Sequence, residues 1–244
     1  MIGIIAVLTF RQLLGRGRTI LLALVALLPI LLAVAYRVGS EDTDQQQWVA
    51  EVLLDGLAVT LLLPLLALVY ATAALGADIE DGTAVYVLAK PVSRARIIVG
   101  KLLAAWALTA VTVLVSAIAA SIVGLQGTSG GGLLVGFPIA LVVGSLVYCS
   151  LFLTLSVFTS RALIAGLVYI FIWEGLINGL FTGTRLLSVR HYTLAVADLF
   201  VDLPRSFDAK LGPVPAVALI IAVVGGSIWL GARRLQRFEI GEST

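Results

Sequence analysis

Few residues of this 244-residue chain could carry out chemistry. Its one histidine excludes an H-E-x-x-H zinc site, and no G-x-S-x-G nucleophile motif occurs. The phosphate-binding motif G-x-x-x-x-G-K-[ST] is absent too, because Leu102 follows Gly100-Lys101 and Ala95 replaces its first glycine. The single cysteine, Cys149, lies in an apolar run and is expected to be a packing residue. We therefore predict no catalytic residue, no metal site and no cofactor bound by this chain.

Glu174 is the exception, because it stands inside the apolar sequence YIFIWEGLING. On a helix it would lie about 20 Å beyond Arg161, where an unpaired carboxylate costs on the order of a few kcal/mol. Two interpretations stay open for Trp173 and Glu174. The carboxylate is either a structural hydrogen-bond lock between spans or a polar point on a route through the membrane or at a subunit seam. Asp55 lies only a turn into its own apolar run, so we expect it to be solvated.

The composition is that of an integral membrane protein. The chain is 60% hydrophobic and 12% charged, with a mean hydropathy of +1.10, whereas soluble domains are about 25% charged. Six apolar stretches are long enough to cross about 30 Å of hydrocarbon. They are residues 19–38, 52–75, 102–124, 133–158, 162–181 and 214–235. We predict an all-α membrane protein in which residues 1–244 form one transmembrane domain.

The segments outside these spans predict further helices. Residues 1–18 form a short apolar run followed by arginines, which is typical of an interfacial helix. The sequence Ala33-Val34-Ala35 would also fit a signal-peptide cleavage site, but we favour an uncleaved span. In residues 182–212, apolar side chains recur at helical spacing, which indicates short helices at the outer leaflet. His191 in this segment is expected to be a surface or capping residue.

The distribution of basic residues predicts the orientation in the membrane. With the N-terminus inside, eleven of the sixteen Lys and Arg residues fall in cytoplasmic segments. Short basic loops stay in the cytoplasm, so both termini are expected there, in a cell (inner) membrane.

Residues 76–101 form a polar interruption between two runs of membrane length. Pro91 ends a helix in it, because proline disfavours helix at the preceding residue and supplies no N–H. Ser93 is a favourable N-cap for the helix of the third span. Acidic residues gather at the beginning of the segment, and we expect them to start a separate helix whose dipole favours them. They are Asp78, Glu80 and Asp81.

The order and spacing of residues in this loop resemble the signature of ABC-2 type permeases. The residues that carry the resemblance, and that it assigns to ATPase coupling, are Glu80, Asp81, Gly82, Thr83, Leu88, Pro91, Ser93, Arg94 and Lys101. The resemblance implies a six-span permease subunit of an ABC transporter, with an N-terminal elbow helix and a cytoplasmic coupling helix between spans 2 and 3. Trp173-Glu174 likewise resembles a recurring pair in the fifth span of such permeases.

The resemblance also implies partners. Two copies of a separate ABC ATPase would carry the ATP and Mg, and a second permease chain, identical or related, would complete the pore. Arg161, in the short turn between spans 4 and 5, is a candidate for a second inner contact. The resemblance favours export, and a seam rich in Leu, Val, Ala and Phe suits a lipid-like, amphipathic or drug-like substrate. Membrane lipid is a further partner, and no nucleic acid is expected.

Two other functions remain alternatives. A permease of this family could pass ATP-driven motion to an extracytoplasmic partner, for instance during maturation of a secreted enzyme. A membrane-embedded enzyme is less favoured, because it needs two or more converging catalytic groups and only Glu174 lies deep in a span.

Overall fold

The computed structural model describes residues 2–39, 44–80, 93–126, 130–177, 187–200 and 212–236. For residues 16–19, 76–80, 213 and 236 it describes the backbone alone. All regular secondary structure within these ranges is helical, which confirms the predicted all-α class.

The helices follow one another in chain order. They are α1 (Ile2–Leu13), α2 (Arg16–Gly39), α3 (Gln45–Trp48), the π-helix π1 (Val49–Leu62), α4 (Leu63–Glu80), α5 (Arg94–Gly124), α6 (Gly131–Phe158), α7 (Ala162–Val168), the π-helix π2 (Tyr169–Ile177), α8 (Val189–Asp198) and α9 (Pro213–Gln236). π1 continues directly into α4, and α7 continues into π2, so each pair forms one unbroken helical rod.

Five helices in the described ranges are long and apolar enough to cross a membrane. They are Ile20–Gly39, Gln45–Leu75, Arg94–Gly124, Gly131–Phe158 and Val214–Leu235, and each overlaps a predicted span. The remaining predicted span, 162–181, is described as the shorter apolar helix Ala162–Ile177. Since a spanning helix needs about 20 residues and residues 178–181 lie outside the described part, the count of six stays a prediction.

Helix α6 is the centre of the bundle. Buried residues make up 61% of its apolar window, against 22% for α2 and 17% for α9. Its side chains Phe137, Tyr148 and Phe152 are among the largest fully buried ones. At Gly144 an added Cβ would come within 2.5 Å of Thr193 Oγ1, so only glycine lets α8 approach this closely. Helix α6 therefore provides the surface against which α8 packs.

The N-terminal helix α1 packs against the beginning of α5. A Cβ added at Gly100 would lie 2.9 Å from Ile5 Cγ2, which measures how close the two helices are. On the other side of α1, Ile4 and Leu8 are exposed. An exposed apolar face suits a helix at a lipid interface, and the elbow arrangement remains a prediction.

The loop between spans 2 and 3 differs in one respect from its prediction. Helix α4 continues beyond the span through Glu80, so Asp78 and Glu80 lie at its C-terminal end and do not start a new helix. The reason is that ATAALGAD contains strong helix formers, and one internal glycine costs only about 1 kcal/mol. Residues 81–92 lie outside the described residues, and with them the coupling positions Asp81, Gly82, Thr83, Leu88 and Pro91.

The beginning of α5 agrees with its prediction. Ser93 has extended N-cap geometry (φ −60°, ψ 134°), and its carbonyl accepts from the Arg96 N–H at 2.9 Å. Its hydroxyl, however, makes no capping hydrogen bond. The beginning of α5 is therefore defined by backbone geometry and a backbone hydrogen bond, without a side-chain cap.

Candidate functional site

The Glu174 carboxylate is buried, with 5% of the residue exposed, and it is fully engaged in hydrogen bonds. Its Oε1 accepts from the Val189 N–H at 2.9 Å and from the Tyr169 hydroxyl at 3.1 Å. Its Oε2 accepts from the Ser188 hydroxyl at 2.5 Å. A buried carboxylate with this many donors avoids the desolvation cost of an unpaired charge.

The π-helix brings Tyr169 and Glu174 together. In an α-helix, residues five positions apart would point about 140° away from each other. The wider turn of π2 returns both side chains to the same side, as the hydrogen bond between them demonstrates. Sequence reasoning missed Tyr169 because an apolar span is assumed to be α-helical.

Glu174 stabilises the beginning of α8. Ser188 is the N-cap of this helix (φ −99°, ψ 123°), and Val189 is its first helical residue. A carboxylate at a helix N-terminus is favoured by the helix dipole by about 0.3–1 kcal/mol, and by more when partly buried. The neighbouring Trp173 is half-buried and donates its indole N–H to the Leu187 carbonyl at 3.3 Å. These contacts favour a structural lock, which here joins π2 to α8.

A second acidic residue binds the same turn of α8. Asp55 of π1 forms a bidentate ion pair with Arg190, with Nη2 at 2.7 Å from Oδ2 and Nε at 3.1 Å from Oδ1. Its side chain is only 18% exposed, so the expectation of a solvated Asp55 was wrong. That expectation failed because Arg190 is distant in sequence and only the packing of α8 brings it close. We call Asp55, Glu174, Ser188 and Arg190 the outer clamp.

The outer clamp does not have the geometry of a nucleophilic triad. The Ser188 hydroxyl lies between two groups, the Glu174 carboxylate, to which it donates, and His191, whose Nδ1 is 3.0 Å from Ser188 Oγ. A serine hydroxyl that donates to a carboxylate does not at the same time donate to a histidine base, so this is not the arrangement of an activated serine. Tyr192 is buried next to this group. The pKa of its phenol is raised mainly by this burial and secondly by the negative charge of Glu174. The arrangement positions a helix; it does not activate a nucleophile.

The predicted coupling residues that are described lie at the opposite end of the bundle. Lys101 is 3% exposed and donates from Nζ to the Ala74 carbonyl of α4. Arg94 is half-buried, whereas Arg161 is exposed at the N-cap of α7. Trp173 and Glu174, which are neighbours in the chain, thus lie at one end of the bundle, and Arg94, Lys101 and Arg161 lie at the other. Within the described ranges, no three His, Cys, Asp or Glu side chains converge as they would around a metal.

Comparison with known families gives this architecture its class. The sequence model of the ABC-2 family transporter proteins matches residues 5–193, a range that contains both the outer clamp and the loop after α4. The match covers more than half of the chain, which therefore belongs to the ABC-2 family of transporter proteins. Members are multi-pass membrane permease subunits of ABC transporters, not the ATPase, and generally work with an ABC ATPase partner. A comparison with curated proteins returns no match.

Proposed function

We propose that this permease exports a lipid-like, amphipathic or drug-like substrate, driven by a separate ATPase that docks on residues 78–93. Two ATPase copies would carry the ATP and Mg, and a second permease chain, identical or related, would complete the translocation path. The protein would lie in the inner membrane of the cell, with both termini in the cytoplasm. The end of the bundle that contains the loop after α4 is called the inner end, and the end with the outer clamp is called the outer end.

One observation carries the proposal: π1 and α4 form an unbroken helix from Val49 to Glu80. Its inner end leads directly into the proposed docking segment. Near its outer end, Asp55 binds Arg190 of α8. A displacement of the inner end by the ATPase would therefore change the position of Asp55 relative to α8. This rod offers a direct mechanical connection between ATP hydrolysis and the outer end.

Lys101 supports the same mechanism at the inner end. Its ammonium is buried and donates to the Ala74 carbonyl, which joins α5 to α4 on the two sides of the docking segment. A buried ammonium is retained only where hydrogen bonds compensate its desolvation. Motion of the docking segment would consequently reach both helices together.

The docking proposal is tested by the double substitution Leu88→Asp with Glu80→Lys. A charge at an apolar anchor typically costs about 2 kcal/mol or more of binding free energy, which is a loss of about 30-fold in affinity. We expect the variant to insert normally but to lose ATPase co-purification and permease-stimulated ATP hydrolysis.

The matched control is Val38→Asp, which introduces the same charge at an 85% exposed position of the outer end of α2. It should leave ATPase binding unchanged. Unaltered co-purification and stimulation in the Leu88→Asp, Glu80→Lys variant would refute docking through this segment.

The alternative, in which motion is passed to an extracytoplasmic partner, is supported by the outer clamp itself. The element that the rod contacts at its outer end is a short helix, α8, and not a bare loop. Reconstitution of permease and ATPase in liposomes separates the two functions. ATP-dependent movement of fluorescent phospholipid or amphipathic dye supports transport, whereas stimulated hydrolysis without any such movement supports mechanical coupling.

A further inference from the structure

We propose that a groove between the inner ends of α5 and α9 binds an anionic phospholipid of the inner leaflet. The groove has a volume of about 480 Å³, within the range of small-molecule sites. Helix α5 contributes Ala95, and α9 contributes the other lining residues, which are Gly225, Ile228, Trp229, Ala232 and Arg233. This inference does not depend on ATPase docking or on the transported substrate, but the assignment to the inner leaflet rests on the proposed orientation.

The groove is amphipathic along its length. Gly225 and Ile228 form its apolar end, and Arg233 lies at the other end. Gly225 and Arg233 are separated by about 12 Å along the axis of α9 at 1.5 Å per residue. A phospholipid has the same division, with a charged headgroup at the membrane surface and acyl chains below it. The groove therefore matches the headgroup of one phospholipid and the adjoining part of its acyl chains.

The charged end of the groove favours an anion. The Arg233 guanidinium is held over the Trp229 ring, 4.6 Å from its centroid, which restricts its orientation. Ala95 on the facing wall stands between Arg94 and Arg96 at the beginning of α5. None of the six lining residues is acidic. Arginine binds phosphate through paired N–H donors, so a phosphate headgroup complements this end.

Glycine keeps the apolar end open. Gly225 lines the groove, and a Cβ added there would have no atom within 4 Å, so a side chain can begin at this position without meeting a neighbour. Gly226 has equally open surroundings but does not line the groove. Only 17% of the apolar window of α9 is buried in the bundle, so this helix is already positioned to face lipid. These two adjacent glycines provide a test variant and its control.

Trp229 provides the measurement, because a lipid in the groove would lie against its ring. The protein is reconstituted in phosphatidylcholine nanodiscs containing a rising fraction of phosphatidylglycerol, and one of the two lipids carries brominated acyl chains that quench tryptophan. The contribution of Trp229 to the fluorescence is the difference between the emission of the wild type and that of the Trp229→Phe variant. We expect brominated phosphatidylglycerol to quench it at about fivefold lower mole fraction than brominated phosphatidylcholine.

Two pairs of variants locate the site. Gly225→Leu fills the apolar end and should abolish the preferential quenching, whereas Gly226→Leu should retain it. Arg233→Gln should remove the preference for phosphatidylglycerol. Arg234→Gln, whose guanidinium lies 5.7 Å from the Phe158 ring, removes the same charge one residue away and should keep the preference.

Four outcomes would overturn the proposal. Equal quenching by both lipids would mean that the groove has no preference for an anionic headgroup. Equal effects of each variant and its control would mean that general surface charge attracts the lipid. Relief of quenching by excess glycerol 3-phosphate would identify a site for a free phosphate. A disulfide between two copies of Gly225→Cys would identify a second chain as the occupant, since the native Cys149 is buried.

Discussion

The two ends of the bundle use charge in opposite ways. At the outer end, Asp55 and Glu174 are largely withdrawn from solvent, and each binds a donor of α8. At the inner end, Arg161 and Arg233 are exposed, whereas Lys101 is buried. Buried, paired charges fix geometry, whereas exposed cations remain available to a partner or a lipid headgroup. The outer end thus holds one of its own helices, while the inner end keeps cations at its surface.

Removing the Glu174 carboxylate should have the largest effect on the outer clamp. Glu174→Leu leaves the Ser188 hydroxyl, the Tyr169 hydroxyl and the Val189 N–H without their acceptor. We expect a loss of roughly 3 kcal/mol in the free energy of unfolding, from hydrogen bonds that each contribute about 1 kcal/mol within a membrane. Thermal unfolding in detergent measures the loss, and proteolysis should then cleave near α8 more rapidly.

Glu174→Gln separates the structural from the functional interpretation. It keeps the shape and removes the charge, so about 1 kcal/mol of stability should be lost. If transport falls while assembly persists, the charge belongs to the transport mechanism; unchanged transport leaves Glu174 as a lock. Ser150→Ala is the control, because its buried hydroxyl bonds only the Val147 carbonyl of its own helix. If Glu174→Leu is as stable as this control, the outer clamp does not hold α8.

The Asp55–Arg190 pair should have a smaller effect, because it is partly exposed to solvent. In a double-mutant cycle of Asp55→Asn and Arg190→Gln, we expect a coupling of about 0.5–1 kcal/mol that decreases with added salt. Arg37→Gln is the control at the same end, because among the described residues Arg37 binds the Gln126 carbonyl and no carboxylate. A coupling of zero at low salt would contradict the proposed contact between the rod and α8.

The smallest effect on stability is expected at Lys101. Lys101→Met keeps most of the side-chain volume and removes a buried charge whose desolvation offsets much of its hydrogen-bond energy. The free energy of unfolding should therefore change by less than about 1 kcal/mol. Stimulation of the ATPase should nevertheless fall, because α4 and α5 would no longer be joined at Ala74. If stimulation stays normal in a stably folded Lys101→Met protein, the inner end transmits force in another way.

Apolar length predicted the five described spanning helices without any help from the tertiary structure. Runs such as 102–124 and 133–158 must be helical in hydrocarbon, because every backbone polar group has to be paired within the segment. The same argument identified Glu174 as unusual, since a carboxylate in such a run requires a partner. Pro91 and Ser93 similarly predicted that a new helix begins near residue 93, and α5 begins at Arg94.

Only the tertiary structure decided which partners these residues have. Tyr169 reaches Glu174 because the backbone forms a π-helix, which no residue in YIFIWEGLING signals. Asp55 reaches Arg190 because Gly144 of α6 lets α8 pack closely against the bundle. Lys101, which the resemblance assigned to ATPase coupling, turns inward to Ala74. Local sequence specifies where a helix forms, but contacts between distant segments depend on packing distances that no local pattern encodes.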